Sequence, residues 1–235
     1  MKFYESMSLF LIPTILAPDT EEKVLSPQIK DIIKHLNIFF VEDIRTARRF
    51  ISNLKIGKVI DTLTFYELTK DTPRETTLQQ LKELKEDAGI ISEAGCPSIA
   101  DPGSMAVGIA HQLGLRVVPL VGPSSILMAL MASGFNGQSF VFHGYLPIDK
   151  VLRIKALRQI EQEAKKKNQT QIFMETPYRN NQLMSDMLQN LAAETLLCVA
   201  SNITAEDEFI KTLSIKEWKK HQPVLHKKPT IFVLF

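Results

Sequence analysis

Cysteine is scarce in this sequence. The 235 residues include two, Cys96 and Cys198, far apart, with no CxxC pair and no metal-ligand spacing. A disulfide framework is excluded, and a reducing compartment fits. A surplus of either charge is missing too. Against 28 basic residues stand 26 acidic ones, a formal net charge of +2. Any nucleic-acid interaction must therefore rest on local patches. No apolar run reaches the roughly 20 residues that a membrane span needs. The opening "MKFYESMSLFLIPTILAPDT" has the look of a signal peptide, but Glu5 precedes its apolar run and Pro13 interrupts it. Pro18 follows the only plausible cleavage position, Ala17. The stretch reads instead as a buried first strand, Ser8–Ile15, of a cytosolic protein without membrane association.

Several nucleotide and catalytic signatures are also absent. There is no GxGxxG after the first strand and no P-loop sequence, which argues against ordinary dinucleotide and P-loop sites. No HExxH occurs and the five histidines are scattered, so a metal site has no support. No GxSxG points to a serine hydrolase.

What is present is a rhythm. Composition is ordinary for a globular protein, 45% hydrophobic and 23% charged. Apolar runs at Leu9–Ile15, Ile38–Glu42, Val59–Leu63, Gly89–Ser92 and Arg116–Leu120 read as strands. Amphipathic segments at Gln28–Leu36, Thr46–Asn53, Thr76–Glu86 and Ser104–Leu113 separate them as helices. The alternation predicts a mostly parallel sheet covered on both faces. The second half repeats it. Helices are expected over Ser125–Ser133, Val151–Lys167 and Tyr178–Leu191, and strands over Phe140–Tyr145, Gln171–Met174, Leu196–Ala200 and Ile231–Phe235. "VGPSS" breaks the pattern near Val121–Ser124. Two α/β domains are expected, residues 1–121 and 122–235.

The turns carry the functional signal. "SEAGCPSIADPG" joins an expected strand to an expected helix, with Gly95 allowing close backbone approach and Asp101-Pro102 reading as a cap and first-turn proline. Any strand-to-helix connection uses such residues, so one loop decides nothing. The pattern recurs, however, in "PLVGPSSILMAL" and in "IFMETPYRN", where Thr176 reads as cap and Pro177 as first-turn proline. Nine of the ten glycines fall between Gly89 and Gly144. Ligands of open α/β sheets sit beyond the carboxyl ends of strands, where helix starts favour anionic groups.

Five blocks in order, "VEDIRTARRF", "EAGCPSIADPG", "VVPLVGPSSILMALMASG", "FHGYLP" and "FMETPYR", resemble the tetrapyrrole-methylase superfamily, and within it the ribosomal RNA small subunit methyltransferase I family. The resemblance implies two α/β domains with S-adenosylmethionine in a cleft between them, and a homodimer. Carried over block by block, Gly95, Cys96 and Pro97 match the central cofactor loop and Asp101 its later acid. Ser124, Ser125 and Ile126 match the segment opening the second domain. Met174, Glu175 and Thr176 match a turn of that domain near the cofactor. The implied activity is methyl transfer to a ribose 2′-hydroxyl of ribosomal RNA in the small subunit. A tetrapyrrole-like small-molecule acceptor and a non-catalytic cofactor-binding relative are the alternatives.

The sequence also departs from the family's pattern, and the first departure bears on the acceptor. The family's first strand ends in a PTPIGN-like turn, where this chain has "PTILAPDTEE". A late ARELTK-like block reads here "ASNITAEDEF". No general base can be assigned; Glu175, Asp43 and Glu93 are candidates. Cys96 reads as a small loop residue rather than a nucleophile. Asp43 and Arg45 read either as cleft-facing groups or as a helix cap and structural ion pair. Two basic groups, Arg45, Arg48, Arg49 and Lys58, and the run "KVLRIKALRQIEQEAKKK", are either solvated faces or a path for RNA phosphates.

Overall fold

A computed structural model describes residues 7–235; Glu5 of the signal-peptide argument lies outside them. The chain divides into two compact units, the first closing at Pro123 and the second spanning Ser124–Phe235.

The first unit runs β1 (Ser8–Ile12), α1 (Glu21–Val24), α2 (Pro27–His35), β2 (Ile38–Val41), α3 (Ile44–Asn53), a 3-10 turn (Ile60–Thr62), β3 (Thr64–Glu67), α4 (Arg74–Lys82), β4 (Ala88–Ile91), α5 (Gly103–Gln112) and β5 (Arg116–Pro119). Its five strands are all parallel, in the order β3-β2-β4-β1-β5. Successive side chains point to opposite faces, and both faces are covered. Ile12, Phe39 and Ile91 pack with Ile29 and Ile33 of α2 and Ile51 of α3. Leu9, Phe40 and Ile90 pack with Leu81 of α4 and Ala106 and Ile109 of α5. Double burial is why these strands read as unbroken apolar runs. Local chemistry starts the helices. Ser26 Oγ accepts from Gln28 N ahead of Pro27 in the first turn of α2. Asp43 Oδ1 accepts from Thr46 N at 2.7 Å at the start of α3. One expected strand is corrected: Val59–Leu63 contains the 3-10 turn, and the strand lies at Thr64–Glu67. Val59 is 64% exposed, and the run reaches the core only through Ile60 and Leu63.

The second unit runs α6 (Ser125–Ser133), β6 (Phe140–Tyr145), α7 (Lys150–Lys167), β7 (Thr170–Met174), α8 (Asn180–Asn190), β8 (Leu196–Ser201), β9 (Phe209–Ser214), α9 (Ile215–Trp218) and β10 (Thr230–Leu234). Its sheet is mixed, in the order β6-β7-β10-β8-β9. Only β6 and β7 pair in parallel; β10 runs antiparallel to β7 and β8, and β8 to β9. The parallel rhythm of the first half therefore does not continue. α7 and α8 cover one face through Leu157, Ile160, Leu183 and Met187, which pack with Phe173, Val199, Trp218 and Phe232. Trp218 is pinned by its indole N–H, which donates to Leu197 O at 2.8 Å. α6 packs on β8, β9 and β10. It has Ser124 as its cap and Gly134 in the left-handed conformation at its end. Among the described residues, no helix is long and apolar enough to cross a membrane.

Candidate functional site

Connection geometry in the first unit defines a crevice. α2 and α3, which follow β1 and β2, lie on one face of the sheet; α5, which follows β4, lies on the other. β4 stands between β2 and β1. The chain leaving β4 thus diverges from the chains leaving both neighbours, which is where open α/β sheets bind ligands.

Three connections are knitted together there. Thr14 N, just beyond β1, donates to Gly95 O at 2.9 Å, and Thr14 Oγ donates to Ser92 O. Ser92 Oγ donates to Gly95 O at 2.7 Å. Cys96 Sγ reaches Pro123 O at 3.3 Å and Gly122 O at 3.6 Å, beyond β5. Burial pushes the Cys96 thiol up, away from the thiolate a nucleophile would need. Gly95 has φ +72°, and a Cβ there would lie 3.0 Å from both Pro123 O and Leu16 Cδ2. Ser98 and Ala100 are also left-handed, at φ +68° and +62°. Pro97 is buried.

Asp101 differs from its expected role as cap. α5 begins at Gly103 with Pro102 in the cap position. The Asp101 carboxylate instead closes its own loop, Oδ1 accepting from Ser98 N and Gly103 N, both at 2.8 Å. Ser98 Oγ is buried beside it without a partner.

Carboxylates collect around this loop. Glu42, beyond β2, has its pKa raised by burial and then by Asp101 and Glu93. Asp101 is raised by burial, against the lowering bonds from Gly103 and Ser98. Glu93 is raised by burial and by Asp43. Asp43 itself is held below its ordinary value by the Thr46 backbone and side-chain bonds, which makes it a helix cap. Sequence reading passed over Glu42, although it stands in the first block of the resemblance.

Beside this loop, between it and α3, lies a cavity of about 310 Å³. The connection after β1 lines it from Thr14 to Asp19, together with Glu21, and α3 supplies Thr46, Ala47, Arg49, Phe50 and Asn53. Ile91, Ser92, Glu93 and Ala94 complete it. Gly95, Cys96 and Pro97 are not among its lining residues.

In the second unit, Ser124, Ser125 and Ile126 open α6 and are half-buried. Met174 ends β7. The Glu175 carboxylate is buried and already engaged, Oε1 accepting from Thr176 N at 2.7 Å and from Arg179 at 2.5 Å. A carboxylate held this way is a poor general base. Thr176 does not cap α8, which starts at Asn180 after a turn through residues 177–179.

The basic groups are also redistributed. Arg48 pairs with Asp61. Lys58 Nζ donates to Lys34 O and Asn37 Oδ1. Arg153, 6% exposed, is buried between α7 and α8, with its Nε at 2.8 Å from Asp186 Oδ2 and its guanidinium also on Pro147 O and Ile148 O. Arg45, Arg49, Lys150 and Lys155 remain exposed.

No family model matches the chain. Curated relatives do. A ribosomal RNA small subunit methyltransferase I from Buchnera aphidicola subsp. Schizaphis graminum is 26% identical over 231 residues, 96% of this chain and 77% of the relative. One of the same name from Bacillus subtilis (strain 168) is 30% identical over 203 residues, 86% of this chain and 66% of the relative. Among solved structures, diphthine synthase aligns with TM-score 0.66 at 14% identity, covering 98% of this chain and 90% of that one. The methyltransferase CobJ aligns with TM-score 0.59 at 13% identity, covering 97% and 92%. From these relatives and this fold, the chain is related over most of its length to the methyltransferases named ribosomal RNA small subunit methyltransferase I, and it shares the fold of diphthine synthase and CobJ.

Proposed function

We propose that this protein is an S-adenosylmethionine-dependent methyltransferase that modifies ribosomal RNA, at a ribose 2′-hydroxyl of the small subunit. The observation that supports the cofactor half is the turn at Gly95 beyond β4, held at φ +72°, where a Cβ would press on Pro123 O and Leu16 Cδ2 at 3.0 Å. Gly95, Cys96, Pro97 and Asp101 from the first unit, with Ser124, Ser125, Ile126, Met174, Glu175 and Thr176 from the second, form the proposed cofactor-binding set. Gly95 gives backbone contact, Asp101 holds the loop that presents Ser98, and the start of α6 offers free N–H groups to a carboxylate. The bound cofactor supplies an electrophilic methyl group on a sulfonium. The protein's task is then alignment of donor and acceptor, the kind of positioning that accounts for a large share of such rates.

The RNA half rests on the names of the relatives and on exposed Arg45, Arg49, Lys150 and Lys155, which suit phosphate contacts. Proton removal from the hydroxyl is assigned to the crevice carboxylates rather than to Glu175, because Glu175 is already paired with Arg179. A homodimeric, cytoplasmic enzyme completes the reading. The test is incorporation of label from methyl-labelled cofactor into small ribosomal subunits lacking the modification, beside a tetrapyrrole control. Label in the tetrapyrrole alone would make this a small-molecule enzyme. Label in neither, with cofactor bound, would make it a binding protein.

A further inference from the structure

The cavity between the β1 connection and α3 holds a carboxylate without a partner. Glu21 is 9% exposed, lines the cavity, and makes no side-chain hydrogen bond or ion pair among the described residues. Its Oε1 is fully buried and unsatisfied. A buried carboxylate oxygen without a hydrogen-bond partner costs a fold stability. The rim adds Asp19 and Glu93, while Arg49 is the only lysine or arginine of the lining and is exposed. Asp19 is held at φ +59°, a conformation uncommon for a residue other than glycine. Inside, Ile15, Leu16, Ala17, Ala47 and Phe50 give apolar walls.

With three carboxylates against one arginine, this lining suits a positive charge. We propose that the cavity is a binding site for a small organic cation, a primary ammonium or a guanidinium, with Glu21 as its counter-ion. The apolar walls accommodate a methylene stem, as lysine and arginine stems lie along apolar surface. Phe50 offers a ring to the charged head. A cation of this kind has two sources, a free polyamine or a lysine or arginine side chain of a protein partner. The site goes beyond the proposed methyl transfer and does not depend on it, since its ligand can be measured without cofactor.

Calorimetry on the full chain would use spermidine, Nα-acetyl-lysine amide and Nα-acetyl-arginine amide, with the neutral Nα-acetyl-norleucine amide as control. Saturable binding of at least one cation, absent for the neutral control, is expected; preference for spermidine or for the amino-acid amides tells the two sources apart. Glu21→Gln should weaken that binding at least tenfold and melt at the same or a higher temperature, because the amide removes an unpaired charge. Thr46→Trp, on the exposed rim of α3, should block the cavity without touching Glu21. No saturable binding of any cation, equal binding by the neutral control, or undiminished binding in either variant would overturn the proposal. So would an unfolded or lower-melting Glu21→Gln protein, which would make Glu21 structural. Displacement of the cation by S-adenosylmethionine would overturn it too, by assigning the cavity to the cofactor.

Discussion

Pro13 lies so close to Gly122 that a Cβ on the glycine would fall 2.1 Å from the Cβ of the proline and 2.5 Å from its Cγ. The chains leaving β1 and β5 touch there, and only a residue without a side chain lets them. Gly122→Ala must push the two connections apart. Forcing a methyl into a filled site costs about 1–3 kcal/mol. Urea denaturation should show a lower midpoint, and cofactor affinity should fall with it because Pro123 also holds Cys96. An unchanged midpoint would mean that the connections are not locked.

Gly95→Ala tests the turn directly. At φ +72° a side chain meets backbone strain of about 1–2 kcal/mol. Its Cβ would also press on Pro123 O at 3.0 Å. Affinity for S-adenosylmethionine, measured by calorimetry with the fold checked by circular dichroism, should drop. Equal affinity in a folded variant removes this loop from the cofactor site.

Arg153 and Asp186 separate fold from RNA binding. Their buried pair joins α7 to α8, so Asp186→Ala leaves a guanidinium without its counter-charge at a cost of about 3–5 kcal/mol. Thermal denaturation reads that loss. Exposed Lys155 should behave in the opposite way. Lys155→Ala should leave stability near wild type and flatten the log–log salt dependence of RNA binding by about one. No change in that slope would exclude Lys155 from the phosphate path.

The crevice carboxylates predict a pH effect. Glu42, Glu93 and Asp101 all have raised values in the folded protein, chiefly through burial. At low pH all three are protonated in both states and cost nothing. As pH rises from about 4 through the raised values, the unfolded chain ionises first, and the native state loses stability relative to it. Glu42→Gln removes one of these groups. Its denaturation midpoint should therefore gain on wild type with rising pH across that interval and hold the gain at neutral pH. A constant difference between the two proteins would show that Glu42 titrates normally.

Much of this was legible in the sequence, for identifiable reasons. α6 reads from its ends, because a serine cap and a left-handed glycine are local signals. Four of the five strands of the first sheet, all but β3, read from continuous apolar runs, which in β1, β2 and β4 are covered on both faces. β9 was missed because "FIKTLS" is a mixed sequence at a sheet edge, and its pairing with β8 is set by tertiary register. Arg153 looked like part of a solvated basic face because its partner, Asp186, lies 33 positions further along the chain. Glu21 was invisible for a similar reason. Nothing in "APDTEE" distinguishes the two adjacent glutamates, and only the packing around α1 buries one of them. Thr176 and Asp101 had cap-like sequences, but their loops are closed by other bonds.

The central claim is methyl transfer to ribosomal RNA, and its most direct test is a labelled-methyl assay on small ribosomal subunits that lack the modification. The account predicts S-adenosylmethionine-dependent label in the RNA, resistant to protease, located on a ribose after nucleoside digestion, and strongly reduced in Gly95→Ala. Cofactor binding without any label in RNA, under conditions where the subunits bind the protein, would contradict it.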